Sequence, residues 1–234
     1  DIGTLVIDEA DRMLDDNNFN LLLRLVRTLV KTARQTILFS ASIGSETIKR
    51  AKAVTKDAVF IKTTQRIEIN QNLEHFYIEC DKRDKILLVR KFYAAFADKK
   101  ALVFVNNDVL VAELSEKLSF HNLKISAIHG RFKKFERKTA LENFRKGAAR
   151  FLISSDISAR GLDVKDIDFI INFDMPEESL DYLHRTGRSA RAGKVGSAVS
   201  FVTPPELKLL LKHSKHFKFE LKKAQFHDGE LHIK

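Results

Sequence analysis

Short apolar runs alternate with amphipathic stretches along this chain. In the first part, Thr4–Ile7, Gln35–Phe39 and Ala58–Ile61 read as strands, and Asp8–Leu14 turns from strand into helix. Phe19–Val30 and Glu46–Val54 read as helices, the former with its apolar residues on one face and Arg24, Arg27 and Lys31 elsewhere. The pattern then breaks. Thr63-Thr64-Gln65-Arg66 is polar and carries no hydrophobic period, so residues 63–71 read as a linker. Alternation resumes with strands at Leu73–Ile78, Ala101–Val105, Ile125–Ile128, Phe151–Ile153, Asp168–Ile171 and Ser197–Phe201. Between and after them, Asp84–Phe96, Asp108–Phe120, Lys134–Lys146, Ser179–Thr186 and Pro205–Ser214 have helical periodicity. Strand–helix alternation of this kind predicts an α/β fold, with parallel sheets flanked by helices and right-handed crossovers.

The expected organisation is therefore a first domain over 1–62, the linker, a second domain over 72–214 and a basic tail over 215–234. The second stretch has the length of a complete α/β domain, and the first is too short to be one. Because Asp1-Ile2-Gly3 leads straight into a core strand, the chain is expected to begin inside a domain. The tail, with its scattered aromatics, suits a packed helix or strand or a mobile extension equally well.

Composition changes this picture in only a few places. Hydrophobic residues make up 44% of the 234, enough for an ordinary core. The formal net charge of +10 favours a polyanionic partner. No run approaches the apolar length of a spanning helix, so no membrane association is expected. No signal peptide stands at the start. The single cysteine, Cys80, excludes an intramolecular disulfide and a multi-cysteine metal site, and reads as a small buried or half-buried residue.

Candidate chemistry concentrates in Phe151–Gly193. Apolar strands there end in small, polar, Gly-containing turns, as buried parallel strands do where their tips carry chemistry. Arg185, Arg188 and Arg191 recur every three residues beside glycines, a spacing that can bring their forks onto one anion, although a solvated basic helix face has the same pattern. Near the start, Asp8 and Glu9 follow an apolar strand. A carboxylate at a strand tip can hold Mg²⁺ and its neighbour can activate water, while an acidic helix N-cap is the simpler alternative. Phe104 reads most simply as a core aromatic. Arg131, Lys133, Lys134, Arg137 and Lys138 form either a basic binding face or an ordinary exposed helix face.

Together these stretches resemble the DEAD-box ATP-dependent RNA helicases. Val6-Ile7-Asp8-Glu9-Ala10-Asp11 is similar to motif II, Ser40-Ala41-Ser42 to motif III, Leu102–Asn107 to motif IV, Ser154–Asp163 to motif V and His184–Arg191 to motif VI. The motifs fall in the family's order and cover nearly the whole chain. The resemblance implies the end of a first RecA-like lobe followed by a complete second RecA-like lobe. It also implies ATP and Mg²⁺ as cofactors and RNA, held through its backbone, as partner. Residue by residue, it makes Asp8 the magnesium residue, Glu9 the catalytic base, and Arg188 and Arg191 arginine fingers. Asp163 becomes the sensor of bound nucleotide. Asp11, Ser40, Ser42, Arg160, His184 and Arg185 become coupling residues between lobes. Lys134, Arg137, Ser155 and the backbone at Gly161 become RNA contacts.

Several positions depart from the family pattern. Ser42 and Ser155 stand where the family usually has Thr, Lys134 where it has Gln, and Ala190 where it commonly has Gly. The Lys134 change adds a cation that suits a phosphate, which contributes affinity and salt dependence but no sequence information. No G-x-x-x-x-G-K-[ST] occurs in these residues, so this polypeptide alone is expected not to turn over ATP and to need the missing first-lobe segment as a partner. A non-catalytic RNA-binding module and a DNA translocase of the same superfamily are the rival readings. Glu9, Arg188 and Arg191 argue against the first, and the motif II and motif VI patterns against the second. A cytoplasmic location is expected, or a nuclear or nucleolar one if the source is eukaryotic.

Overall fold

The computed structural model describes residues 2–29, 34–40, 44–61, 69–159, 162, 164, 166–189 and 195–234. The chain forms two compact units, Asp1–Ile67 and Glu68–Lys234.

In the first unit, strands β1 (Thr4–Ile7) and β2 (Gln35–Leu38) pair in parallel. Helices α1 (Ala10–Met13), α2 (Phe19–Thr28) and α3 (Ser45–Val54) complete it. Leu22 and Val26 of α2 lie one turn apart and close over Ile7, Leu14, Ala51 and Val54. Arg50 ties the helices by donating to the Leu14 carbonyl at 2.8 Å, by pairing with Asp16 and by lying over the Phe19 ring. The expected strand at Ala58–Ile61 does not form. That run pairs with no strand among the described residues, and Val59 and Ile61 are exposed.

The second unit is an eight-stranded sheet in the order β10-β9-β3-β8-β7-β4-β6-β5. Its strands are β3 (Leu73–Glu79), β4 (Ala101–Val105), β5 (Ile125–Ile128), β6 (Phe151–Ser155), β7 (Phe169–Asn172), β8 (Gly196–Val202), β9 (Lys222–His227) and β10 (Glu230–Ile233). Its helices are α4 (Lys85–Ala95), α5 (Asp108–Phe120), α6 (Lys134–Arg145), α7 (Asp156–Ala159), α8 (Ser179–Thr186) and α9 (Pro204–Phe217), with a 3-10 turn at Lys82–Asp84. Pairing is parallel from β3 to β8, and only the β9–β10 hairpin is antiparallel. Every residue of β4 and β6 is buried, as strands covered on both faces require. Among the described residues three clusters form its core, one around Phe92, Val103 and Phe201, one around Phe104, Phe144 and Ile170, and a smaller one of Met175, Tyr182, Val202 and Leu210.

The C-terminal residues belong to this unit and not to a separate tail. Helix α9 runs to Phe217, Lys218 takes the left-handed conformation that ends it, and β9 joins the edge of β3 in parallel. Lys222 and Lys223 pair with Glu74 and Glu79 across that edge. Helix α9 starts firmly because Pro204 fits its first turn and Glu206 accepts from both the amide and the hydroxyl of Thr203. Glu206 also binds the buried Lys85 ammonium at 2.6 and 2.8 Å. Burial opposes ionisation of Glu206, but these bonds outweigh it and hold the carboxyl below its ordinary value. Cys80 is half-buried, and burial pushes its thiol up to about 11, so it stays a neutral, packed thiol.

Candidate nucleotide and nucleic-acid site

In the first unit the chemistry-bearing residues sit where β1 and β2 end. Asp8 is exposed, and its Oδ1 accepts the Glu9 amide at 2.9 Å. Glu9 has φ 49°, a left-handed backbone that costs a residue with a Cβ about 1 kcal/mol or more. The amide of Asp11 donates to the Ser40 hydroxyl at 3.1 Å, and the Ala10 amide to the Phe39 carbonyl at 2.8 Å. Motifs II and III therefore share hydrogen bonds inside this unit. Ser42 lies outside the described residues.

In the second unit β4, β6 and β5 are neighbours, so α5, α7 and α6 all begin at the same end of the sheet. Asp108, in the first turn of α5, joins them. Its Oδ1 accepts from Ser155 Oγ at 2.6 Å and Ser158 Oγ at 3.2 Å, and its Oδ2 accepts the Gly130 amide at 2.7 Å. Burial raises the Asp108 pKa, but the bonds from Ser155, Gly130 and Ser158 outweigh it and hold the group below its usual value. A Cβ at Gly130 would stand 2.6 Å from that same oxygen, so only glycine permits the approach.

Helix α8 turns Tyr182, Arg185 and Thr186 inward. The Arg185 guanidinium lies over the Phe104 ring at 5.1 Å and is 1% exposed. Its Nε and Nη2 grip Asp156 at 2.7 and 2.6 Å. Nη1 donates to the Asp174 carbonyl at 2.6 Å and to Asn172 Oδ1 at 3.5 Å, and Nη2 donates again to Asn106 Oδ1 at 2.9 Å. Those acceptors match the five N–H groups a guanidinium carries. Asn172 Nδ2 donates to Ser200 Oγ at 3.1 Å. Nearby in the same unit, the buried Tyr182 phenol is hydrogen-bonded to His75 Nδ1 at 2.8 Å. His75 stacks on Phe219 at 4.0 Å, its Nε2 is buried without a partner, and burial pushes its pKa down to about 4.

This geometry changes what two residues do. Arg185, expected to reach the other lobe and to converge with Arg188 and Arg191, instead fills the inward face of α8 and is saturated inside its own unit. It braces the segments of motifs IV, V and VI together. Ser155, expected as a direct RNA contact, is 3% exposed, and its hydroxyl is engaged by Asp108 and by the Ser158 amide at 3.3 Å. It positions motif V. Arg137 on α6 is half-buried and donates to the Ser158 carbonyl at 2.9 Å, while Lys134 is exposed in the first turn. His184 and Arg188 are half-buried, and Arg188 reaches the Leu162 carbonyl at 3.4 Å. Arg160, Gly161, Asp163, Ala190 and Arg191 lie outside the described residues.

Asp108, Asp156, Asn106 and Asn172 are site-building residues that sequence reasoning passed over. The spacing of Tyr182 and Arg185, three residues apart like two members of one buried face, was the available signal for the inward arginine.

A parallel α/β unit with a braced, arginine-bearing helix, preceded by a unit with two adjacent carboxylates at a strand tip, has the architecture of RecA-like proteins. Comparison with known proteins makes this particular. Residues 1–51 match the DEAD/DEAH box helicase model, and residues 84–193 match the helicase conserved C-terminal domain. The Bacillus subtilis protein named "Probable ATP-dependent RNA helicase YfmL" is 32% identical over 234 residues, 100% of this chain and 61% of its own. The DEAD-box ATP-dependent RNA helicase CshC of Bacillus cereus is 31% identical over 98% of this chain and 58% of its own length. Among solved structures, S. cerevisiae Dbp5 bound to RNA and ADP BeF3 superposes with a TM-score of 0.85 at 26% identity, covering 95% of this chain and 59% of that one. A DEAD box protein from Methanococcus jannaschii gives 0.63 at 30% identity over 95% of this chain and 60% of its own. The chain belongs to the DEAD-box helicase family, and it spans about three fifths of the length of these relatives.

Proposed function

We propose that this chain supplies the catalytic carboxylates and the second lobe of an ATP-dependent RNA helicase that remodels short RNA duplexes or RNA–protein complexes. The observation that carries the reading is the presence, in one chain, of motif II carboxylates at a strand tip and of an α8 that holds Arg188 at its end through the saturated Arg185 clamp. Asp8 keeps one carboxylate oxygen clear of its bond to Glu9, which fits a magnesium ion held by one carboxylate, water and nucleotide phosphates. When bound, ATP–Mg²⁺ supplies the phosphoanhydride and neutralises its charge. Glu9 orients the attacking water and takes its proton. Arg188, with Arg191, donates to the transferring phosphoryl oxygens, a contribution on the order of a thousandfold in rate. Lys134 and Arg137 hold RNA phosphates, which gives affinity without sequence preference. The cytoplasm is the proposed compartment, on the resemblance alone.

The test uses the native gene product that contains this sequence, purified from its source with its mass recorded. RNA-stimulated ATP hydrolysis is expected, abolished by Glu9→Gln and lowered about a thousandfold by Arg188→Ala with RNA binding retained. Equal stimulation by DNA would point to a DNA translocase. RNA binding with no ATP dependence, in a product of 26.8 kDa, would leave only a binding module.

A further inference from the structure

The end of the second unit where α5, α6 and α7 begin carries exposed apolar side chains among cations. Phe135, in the first turn of α6, is 76% exposed, while Phe144 on the same helix is fully buried. The inward face of α6 is formed by Ala140 and Phe144, with Arg137 and Leu141 half-buried, so Phe135 points away from the core with Lys138. Ile157 of α7 and Val109 of α5 are also exposed, at 71% and 54%. Both adjoin the residues that tie these helices together, because Arg137 bonds the Ser158 carbonyl and Ser158 bonds Asp108. Around Phe135 stand Arg131, Lys133, Lys134 and Lys138, all exposed. Glu136, the nearest acid, is occupied in accepting the Lys133 amide at 2.7 Å. Phe120, at the far end of α5, is more exposed still at 84%, yet its neighbours are Glu116, Lys117 and His121. An exposed aromatic alone means little. An exposed aromatic inside a basic rim is the arrangement that binds single strands, with cations on the backbone and a ring against a base.

We propose that Phe135 is a nucleobase-stacking site, at which one base of a single-stranded RNA lies on the ring while Lys134 and its neighbouring cations hold the flanking phosphates. This rests on the RNA-binding reading and adds to it a contact with a base, where the expected contacts of this lobe are to the backbone only. Stacking accepts any base, so it distinguishes base-bearing RNA from its bare backbone and does not read sequence.

The chain has no tryptophan, so Phe135→Trp places a single reporter at the site. The 234-residue chain is titrated with labelled oligouridine, oligoadenosine and an abasic ribose-phosphate oligomer of equal length. Base-bearing RNA is expected to bind about 5- to 100-fold more tightly than the abasic strand and, at saturation, to quench the emission of the introduced indole. Phe135→Ala and Phe135→Leu should remove that gap, Phe135→Tyr should keep it, and Phe120→Ala should change nothing. Equal binding of base-bearing and abasic strands by the unsubstituted chain, or a gap that survives Phe135→Ala, overturns the stacking site while leaving RNA binding intact. A Phe135→Leu chain that keeps the gap overturns stacking in favour of a plain apolar contact. Failure of every strand to bind overturns the RNA reading itself.

Discussion

The two units treat their chemistry-bearing residues in opposite ways. In the first, Asp8 and Glu9 stand on a two-stranded sheet, one exposed and the other held in a left-handed backbone that few residues adopt. In the second, the motif V and VI segments are braced from behind by buried polar groups whose partners are nearly all supplied by the protein. A strand-tip carboxylate meant for a metal and a water must remain unsatisfied by protein, so its setting contributes little stability and stores some strain. An arginine meant to aim a neighbour must be immobile, and immobility comes from filling every donor in a low-dielectric site. The same residue types therefore predict opposite mutational behaviour in the two units.

The largest effect is expected at Arg185. Arg185→Ala leaves Asp156 facing a vacated, uncompensated site, and removal of one partner from a buried pair costs roughly 3–5 kcal/mol. Because Asp156 keeps 25% side-chain exposure, the lower end of that range is expected. Urea unfolding of the chain followed by circular dichroism measures it. Arg185→Lys should recover little, since one ammonium cannot replace five planar donors. A loss under about 1 kcal/mol would show that the clamp is not what holds α8.

A second, smaller effect concerns pH. The His75 imidazole takes a proton near 6.5 when exposed but only near about 4 when folded. Below 6.5 the unfolded state therefore binds more protons, and stability falls as pH drops from about 6.5 to about 4. The full loss is about 3 kcal/mol. His75→Gln, whose amide can still hydrogen-bond the Tyr182 phenol, should flatten the profile in that window. An unchanged slope would place the titration elsewhere.

The smallest effect is in the first unit and has the opposite sign. Glu9→Gly relieves the left-handed strain and should stabilise that unit by up to about 1 kcal/mol, read as a higher unfolding midpoint. In the intact gene product the same change should abolish ATP hydrolysis. A destabilised variant would mean that the Glu9 side chain braces the turn and is not merely tolerated there.

Much of this protein was legible in its sequence. Hydrophobic pattern located all the strands of the second unit up to β8, because a central strand such as β4 is apolar along its whole length and β3 alternates between buried and exposed positions. The motif spacings identified the family and the strand tips where its chemistry lies. Ala58–Ile61 shows the limit of that reasoning, since an apolar run becomes a strand only where another strand pairs with it. The hairpin of β9 and β10 shows the converse. Lys222–His227 has four polar residues in six, and it became a strand because the edge of β3 offered unpaired backbone and acidic partners for its lysines. The directions of side chains were likewise decided by packing. Arg185 and Arg188 are three residues apart in one motif, yet Arg185 was turned inward by Asp156, Asn106 and the Asp174 carbonyl, which arrive from three other segments. Ser155 was drawn inward by Asp108 in the same way. Local sequence sets which residues a helix or strand presents. The acceptors that capture a buried donor come from distant parts of the chain, so only the tertiary structure determines which of two like residues becomes the brace.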